Sequence, residues 1–134
     1  MSELRMMHTM LRVGNLQRSI AFYTELLGMK LIKELDFPEG EFTLAFVGYG
    51  AEENNTVIEL TYNYGQSEYE MGNAFGHIAL ETPDIYATAE KLKKAGAEFT
   101  LEPGPMQHGK THIAFLKDPD GYFIELVQPD WLEA

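Results

Sequence analysis

His112-Ile-Ala-Phe-Leu-Lys-Asp-Pro-Asp-Gly-Tyr-Phe-Ile-Glu-Leu-Val127 decides the fold, because the chain has already said it once. Thr43-Leu-Ala-Phe-Val47 followed by Val57-Ile-Glu-Leu-Thr61 is the same pair of short apolar strands, an Ala-Phe strand and then an Ile-Glu-Leu strand. The two copies differ by three residues in the stretch from Ala to Glu, 14 in the first against 11 in the second, and a longer hairpin loop from Gly48 to Thr56 absorbs the difference. Working outward, each Ala-Phe strand follows a histidine at the same separation of 37 residues, His8 before Ala45 and His77 before Ala114.

The rest of each half obeys the same period. His8 to Val13 alternates as a strand and leads into Asn15, a residue suited to cap a helix, with Leu16, Ile20, Tyr23 and Leu27 at helical spacing and Gly28 as the stop. His77 to Glu81 leads in the same way to Asp84, with Ile85, Ala89 and Leu92 as the apolar stripe and Gly96 as the stop. The caps, like the histidines, are 69 residues apart. Short strands are expected over Lys30–Leu35, Phe42–Val47 and Val57–Thr61, then over Phe99–Leu101, His112–Leu116 and Tyr122–Val127, with Asp118-Pro-Asp-Gly121 turning the last hairpin. The expected architecture is therefore α+β, two tandem βαβββ modules within one domain over 1–134. The modules span about 6–61 and 75–128, joined by a polar, glycine-containing connection over 62–74.

At 134 residues the chain can build a core without disulfides or a structural metal, so a metal would serve chemistry rather than folding. There is no cysteine, which removes thiolate zinc sites and disulfide frameworks from consideration. The net charge of −11 argues against nucleic acid or an anionic membrane as partner. The N-terminus carries no signal-peptide pattern and no run approaches membrane-spanning length, so a cytoplasmic location is expected. In so acidic a chain a small anionic ligand needs local cations, and Arg12 and Lys110 adjoin the segments that carry the histidines and glutamates.

Alternation along strands sets Glu59 and Glu125 opposite to Ile58, Leu60, Ile124 and Leu126, so apolar residues under the helices would leave both carboxylates on the other face. If the first and last strands of a module lie side by side, each histidine comes near its own glutamate. His8, Glu59, His77 and Glu125 then form a two-imidazole, two-carboxylate set with room for two waters in an octahedron. That suits Ni(II), Co(II), Mn(II) or Fe(II) better than zinc, whose catalytic sites keep fewer protein ligands and a tetrahedral tendency. His112 falls where the first half has Thr43 and so has no counterpart in the repeat; a packing or surface role is expected for it. Loop exposure is the expectation for His108.

The strings His8-Thr-Met-Leu-Arg-Val-Gly14, Ser19-Ile-Ala-Phe-Tyr-Thr-Glu-Leu-Leu-Gly-Met29, Ile58-Glu-Leu-Thr-Tyr-Asn63 and Asp118-Pro-Asp-Gly-Tyr-Phe-Ile-Glu-Leu126 resemble the glyoxalase I (lactoylglutathione lyase) family of the vicinal-oxygen-chelate superfamily. The likeness runs from His8 to Val127. It implies isomerisation of the hemithioacetal of methylglyoxal and glutathione to S-D-lactoylglutathione, with proton transfer through an enediolate. It also implies a homodimer, in which His8 and Glu59 of one chain meet His77 and Glu125 of the other at each of two interface metals. Histidine rather than glutamine at position 8, in a compact chain, is similar to the bacterial form activated by Ni(II) or Co(II) and weak with Zn(II). By the same resemblance Glu125 is the base and Glu59 its near-symmetric counterpart, while Arg12, Asn63 and Lys110 hold the carboxylates and γ-glutamyl group of glutathione.

Two other classes share such a scaffold. Fe(II) extradiol dioxygenases use two His and one carboxylate with open positions, and a fourth ligand counts against them. Metal-free drug-sequestering dimers would have apolar or small residues at the four ligand positions, which here are all polar. Fold alone does not choose among these.

Overall fold

The computed structural model describes residues 2–107 and 109–133, with the side chains of residues 132 and 133 left out of account. His108 lies outside the described residues. The chain divides between Glu70 and Met71 into two compact units, each a strand, a helix and three strands.

The first unit runs β1 (His8–Arg12), α1 (Leu16–Ala21), β2 (Lys30–Phe37), β3 (Phe42–Gly48) and β4 (Val57–Asn63). Its sheet has the order β1-β4-β3-β2, so the first and last strands of the module are neighbours, paired in parallel. The Asn15 side chain caps α1 by accepting from the Arg18 amide at 3.0 Å. The helix then widens into a π turn over Phe22–Leu26. The Thr24 hydroxyl donates to the Ile20 carbonyl at 2.7 Å, and the Leu27 amide reaches back five residues to the Phe22 carbonyl at 3.1 Å. Gly28, at φ 77°, closes it as a residue without Cβ can.

The second unit repeats the plan with β5 (His77–Glu81), α2 (Ile85–Lys94), β6 (Glu98–Pro105), β7 (His112–Lys117) and β8 (Phe123–Gln128), in the order β5-β8-β7-β6. Asp84 caps α2 through the Ala87 amide at 3.1 Å. The Gln128 side-chain carbonyl accepts from the Ile85 amide at 2.8 Å, tying the helix start to the end of β8. The turn after β7 is built on Asp118, buried at 5% exposure, whose Oδ1 accepts from the Asp120 and Tyr122 amides at 2.9 and 2.8 Å.

Each helix lies on one face of its own sheet. Leu11, Leu16, Ile20, Tyr23 and Leu60 fill the first such layer, and Ile85, Ala89, Leu92, Leu116, Ile124 and Leu126 the second, all buried. A fully buried aliphatic side chain contributes about 1.5–3 kcal/mol, so this layer holds each module together and leaves the other sheet face available for polar groups. β2 and β6 run further than the sequence suggests, to Phe37 and Pro105, and both contain register shifts against their neighbours. Such bulges blur the two-residue alternation by which strand ends are read.

Candidate metal centre

On the face away from the helices the two units carry the same arrangement. Met10 pairs with Glu59 across β1 and β4, and Ala79 pairs with Glu125 across β5 and β8. Each histidine sits two residues before the strand partner of the glutamate, hence on the same face and one step along it. His77 Nε2 lies 3.1 Å from Glu125 Oε1, and His8 Nε2 lies 3.7 Å from Glu59 Oε2. Both glutamates are largely buried, with side chains 17% and 16% exposed. Each unit thus presents one imidazole nitrogen and one carboxylate oxygen to the same point. Among the described residues no three His, Asp or Glu side chains gather as a metal site.

The next strand adds a feature that the ligand pattern did not include. Phe46 pairs with Glu59 across β3 and β4, and Phe115 with Glu125 across β7 and β8. The Phe46 ring meets His8 nearly at right angles with centroids 5.8 Å apart, and Phe115 meets His77 likewise at 5.0 Å. The repeated Ala-Phe string was the available signal: its alanine is buried toward the helix in each unit and its phenylalanine stands beside the imidazole.

Of the anion-holding residues expected from the sequence, Arg12 and Asn63 fall on the His8–Glu59 face, at the ends of β1 and β4. Asn63 Nδ2 donates to the Tyr69 hydroxyl at 3.0 Å, which leaves its carbonyl oxygen outside that bond. Between Glu59 and Asn63 lies Thr61, opposite Arg12 in the register. Its Oγ1 is buried without a hydrogen-bond partner among the described residues, and so is His8 Nδ1. Lys110 lies in the exposed loop between β6 and β7 of the second unit. His112 lies against α2, with Nδ1 2.7 Å from the Tyr86 hydroxyl and the rings edge to face, in keeping with the packing or surface role expected of it.

Near Asn63, the Tyr64 phenol donates to Asp36, which also accepts from the Thr43 hydroxyl at 2.8 Å. The Tyr64 bond, with help from Thr43, holds the Asp36 carboxyl below its ordinary range, and the same bond to Asp36 pushes the Tyr64 phenol up.

Among the described residues no helix is long and apolar enough to cross a membrane. Residues 5–126 match the Glyoxalase/Bleomycin resistance protein/Dioxygenase superfamily. The lactoylglutathione lyase of Neisseria meningitidis is 56% identical over 125 residues, which cover 93% of this chain and 91% of that protein. Glyoxalase I from Zea mays superposes with a TM-score of 0.90 at 50% identity over 93% of this chain, and this chain spans 44% of the maize protein's length. The trypanothione-dependent glyoxalase I of Leishmania major superposes with a TM-score of 0.87 at 45% identity, covering 98% of this chain and 91% of that one. The chain belongs to the Glyoxalase/Bleomycin resistance protein/Dioxygenase superfamily and, within it, to the lactoylglutathione lyase family.

Proposed function

We propose that this protein is a lactoylglutathione lyase, which isomerises the hemithioacetal of methylglyoxal and glutathione to S-D-lactoylglutathione at a divalent metal held by His8, Glu59, His77 and Glu125. The observation that carries the reading is the twofold His–Glu pair. Two donors at about 2.1 Å from one octahedral ion and at right angles stand about 3.0 Å apart. The 3.1 Å between His77 Nε2 and Glu125 Oε1 already fits that edge, and the 3.7 Å between His8 Nε2 and Glu59 Oε2 needs only a small side-chain adjustment. The donor chemistry, two imidazoles and two carboxylates, fits Ni(II) or Co(II), with Zn(II) third.

Each unit supplies half of that shell. Our reading is that a homodimer completes it, His8 and Glu59 of one chain with His77 and Glu125 of another. The reading is supported by the pair of matched half-sets, one His–Glu pair on each unit.

An ion held by His8, Glu59, His77 and Glu125 would supply Lewis-acid stabilisation of the negative charge that develops on the substrate as C1 loses its proton. The remaining work falls to this chain's own side chains. Glu125 takes the proton from C1 and returns one to C2, with Glu59 in the corresponding place across the site. The hemithioacetal carbon becomes a thioester carbonyl and the neighbouring ketone an alcohol, with no net oxidation. Arg12, with its fork of donors, pairs with a carboxylate of the tripeptide, and Asn63 completes that hold from the adjacent strand. Lys110 offers a second cation for the other carboxylate. The ring of Phe46, buried, and that of Phe115, half-buried, shield the reacting atoms from water.

Thioester formation, followed with metal-stripped protein reloaded with nickel, cobalt or zinc, tests the proposal. Strong activity with nickel and cobalt and little with zinc is expected. A parallel arm with trypanothione in place of glutathione identifies the thiol. Absence of thioester with every metal and both thiols would end the reading. We further propose that the enzyme acts in the cytoplasm.

A further inference from the structure

We infer that Lys33, anchored by Glu52, is a positioning residue for His8 and acts through the ring of Phe46. This rests on the reading of His8 as a metal ligand. A ligating histidine is ordinarily oriented by a hydrogen bond from its second ring nitrogen. His8 Nδ1 is buried without such a partner among the described residues, so the ring must be held by packing. What packs on it is Phe46, itself 5% exposed.

Phe46 is in turn held from its other side. Lys33 is its register partner on β2, and Lys33 Nζ stands 4.6 Å from the ring centroid. The ammonium is fixed by Glu52 Oε1 at 2.8 Å, and Glu52 is a buried carboxylate at 8% exposure. Its own backbone is pinned by Arg5, whose guanidinium donates to the Glu52 carbonyl at 2.6 Å and to the Asn55 carbonyl at 3.4 Å. A cation over an aromatic face attracts the ring and resists its rotation. The sequence Arg5, Glu52, Lys33, Phe46, His8 is therefore a continuous chain of contacts ending on the imidazole.

Glu52 belongs to the hairpin that is three residues longer than its counterpart in the second unit, so the insertion has a role beyond spacing. The second unit is built differently. Leu101 occupies the register place of Lys33, and Phe115 is backed instead by Phe123 at 6.4 Å, with Lys117 Nζ 5.6 Å from the Phe123 ring. The support of His8 thus depends on a charged pair that the support of His77 does not use.

The experiment compares Lys33→Met, Lys33→Arg and Glu52→Gln with the unmodified protein in three measurements. These are Ni(II) affinity by equilibrium dialysis, kcat and KM in limiting and excess metal, and melting temperature of the metal-free protein. Lys33→Met and Glu52→Gln are expected to weaken Ni(II) binding about tenfold, the lower end for loss of a ligand's outer support. Lys33→Arg, which keeps the cation on the ring, is expected to restore binding, and excess metal to recover kcat with KM unchanged. Unaltered affinity in Lys33→Met overturns the inference, even if its melting temperature falls, because that pattern marks a purely structural pair. Full Ni(II) affinity in His8→Ala would overturn the metal-centre reading itself, a result distinguishable from the first.

Discussion

Glu125 and Ala79 face each other across the parallel pair of β8 and β5, so on that strand Glu125 meets only a methyl group, whereas Glu59 has the thioether of Met10 in the same position. The two halves of the repeat are alike in donors and unlike in the room around them. The carboxylate with the smaller neighbour is the one proposed to move a proton.

Replacing Glu125 by Gln removes both a metal ligand and the proposed base. Activity should fall by about 10²–10⁴, the range typical of a lost general base, and Ni(II) affinity should fall with it. Metal dialysis together with thioester kinetics checks both. Activity within a factor of three of the unmodified enzyme would exclude Glu125 from proton transfer.

The turn between β1 and α1 depends on Gly14. A Cβ there would stand 2.1 Å from the backbone carbonyl oxygen of Ser67, an approach that no rotation of a side chain relieves. Gly14→Ala should cost about 1–3 kcal/mol, read from the urea midpoint. Gly76→Ala, where nothing lies within 4 Å, is the matched control and should change stability little. Equal midpoints for the two variants would contradict the close approach.

Asp118 holds the last hairpin through two backbone amides, at 2.9 and 2.8 Å from one carboxylate oxygen. Asp118→Ala leaves both amides to find other partners, and a loss of about 2–3 kcal/mol is expected. Asp118→Asn, which keeps an acceptor at the same place, should lose less. Thermal unfolding of both variants provides the comparison.

The bond from Tyr64 to Asp36 predicts a stability difference that depends on pH. Asp36 titrates below its ordinary 3.8, so its contribution is present above that value and is lost as pH falls through the lowered one. Tyr64 titrates above its ordinary 10.0, so its contribution is present below that value and is lost as pH rises through the raised one. The melting temperature of the unmodified protein should therefore exceed that of Tyr64→Phe across the neutral range, and the gap should close in strong acid and in strong alkali. Both groups are exposed, so the gap should be small. A gap independent of pH would show that the variant acts through packing instead.

The outline of this molecule was legible because the repeat checks itself. Asn15 and Asp84 cap helices in equivalent places, and the His–Glu pairs sit on parallel neighbouring strands as alternation and the period require. The limits of legibility are equally specific. The π turn after Ala21 keeps Tyr23 and Leu27 facing the core, so its apolar spacing reads as an ordinary helix. The extra length of β6 is hidden by the register shift at Leu101/Gly104, whereas the end of β2 pairs regularly, Asp36 with Thr43 and Phe37 with Phe42. Lys33 and Glu52 escaped notice because neither belongs to the repeat, and a lysine and a glutamate 19 residues apart carry no local signature. Phe46 was visible only as part of a motif, since its contact with His8 arises from sheet order rather than spacing.

The parallel pairing of β1 with β4, and of β5 with β8, also dictates when each pair of ligands can come together. Within a module, 51 residues separate His8 from Glu59 and 48 separate His77 from Glu125, and the glutamate lies on the last strand to leave the ribosome. Contacts between such distant positions form late, after the closure entropy of the intervening chain has been met. A truncated or half-made module therefore owns an imidazole with no carboxylate beside it, and the capacity to capture an ion arises only with completion of the sheet.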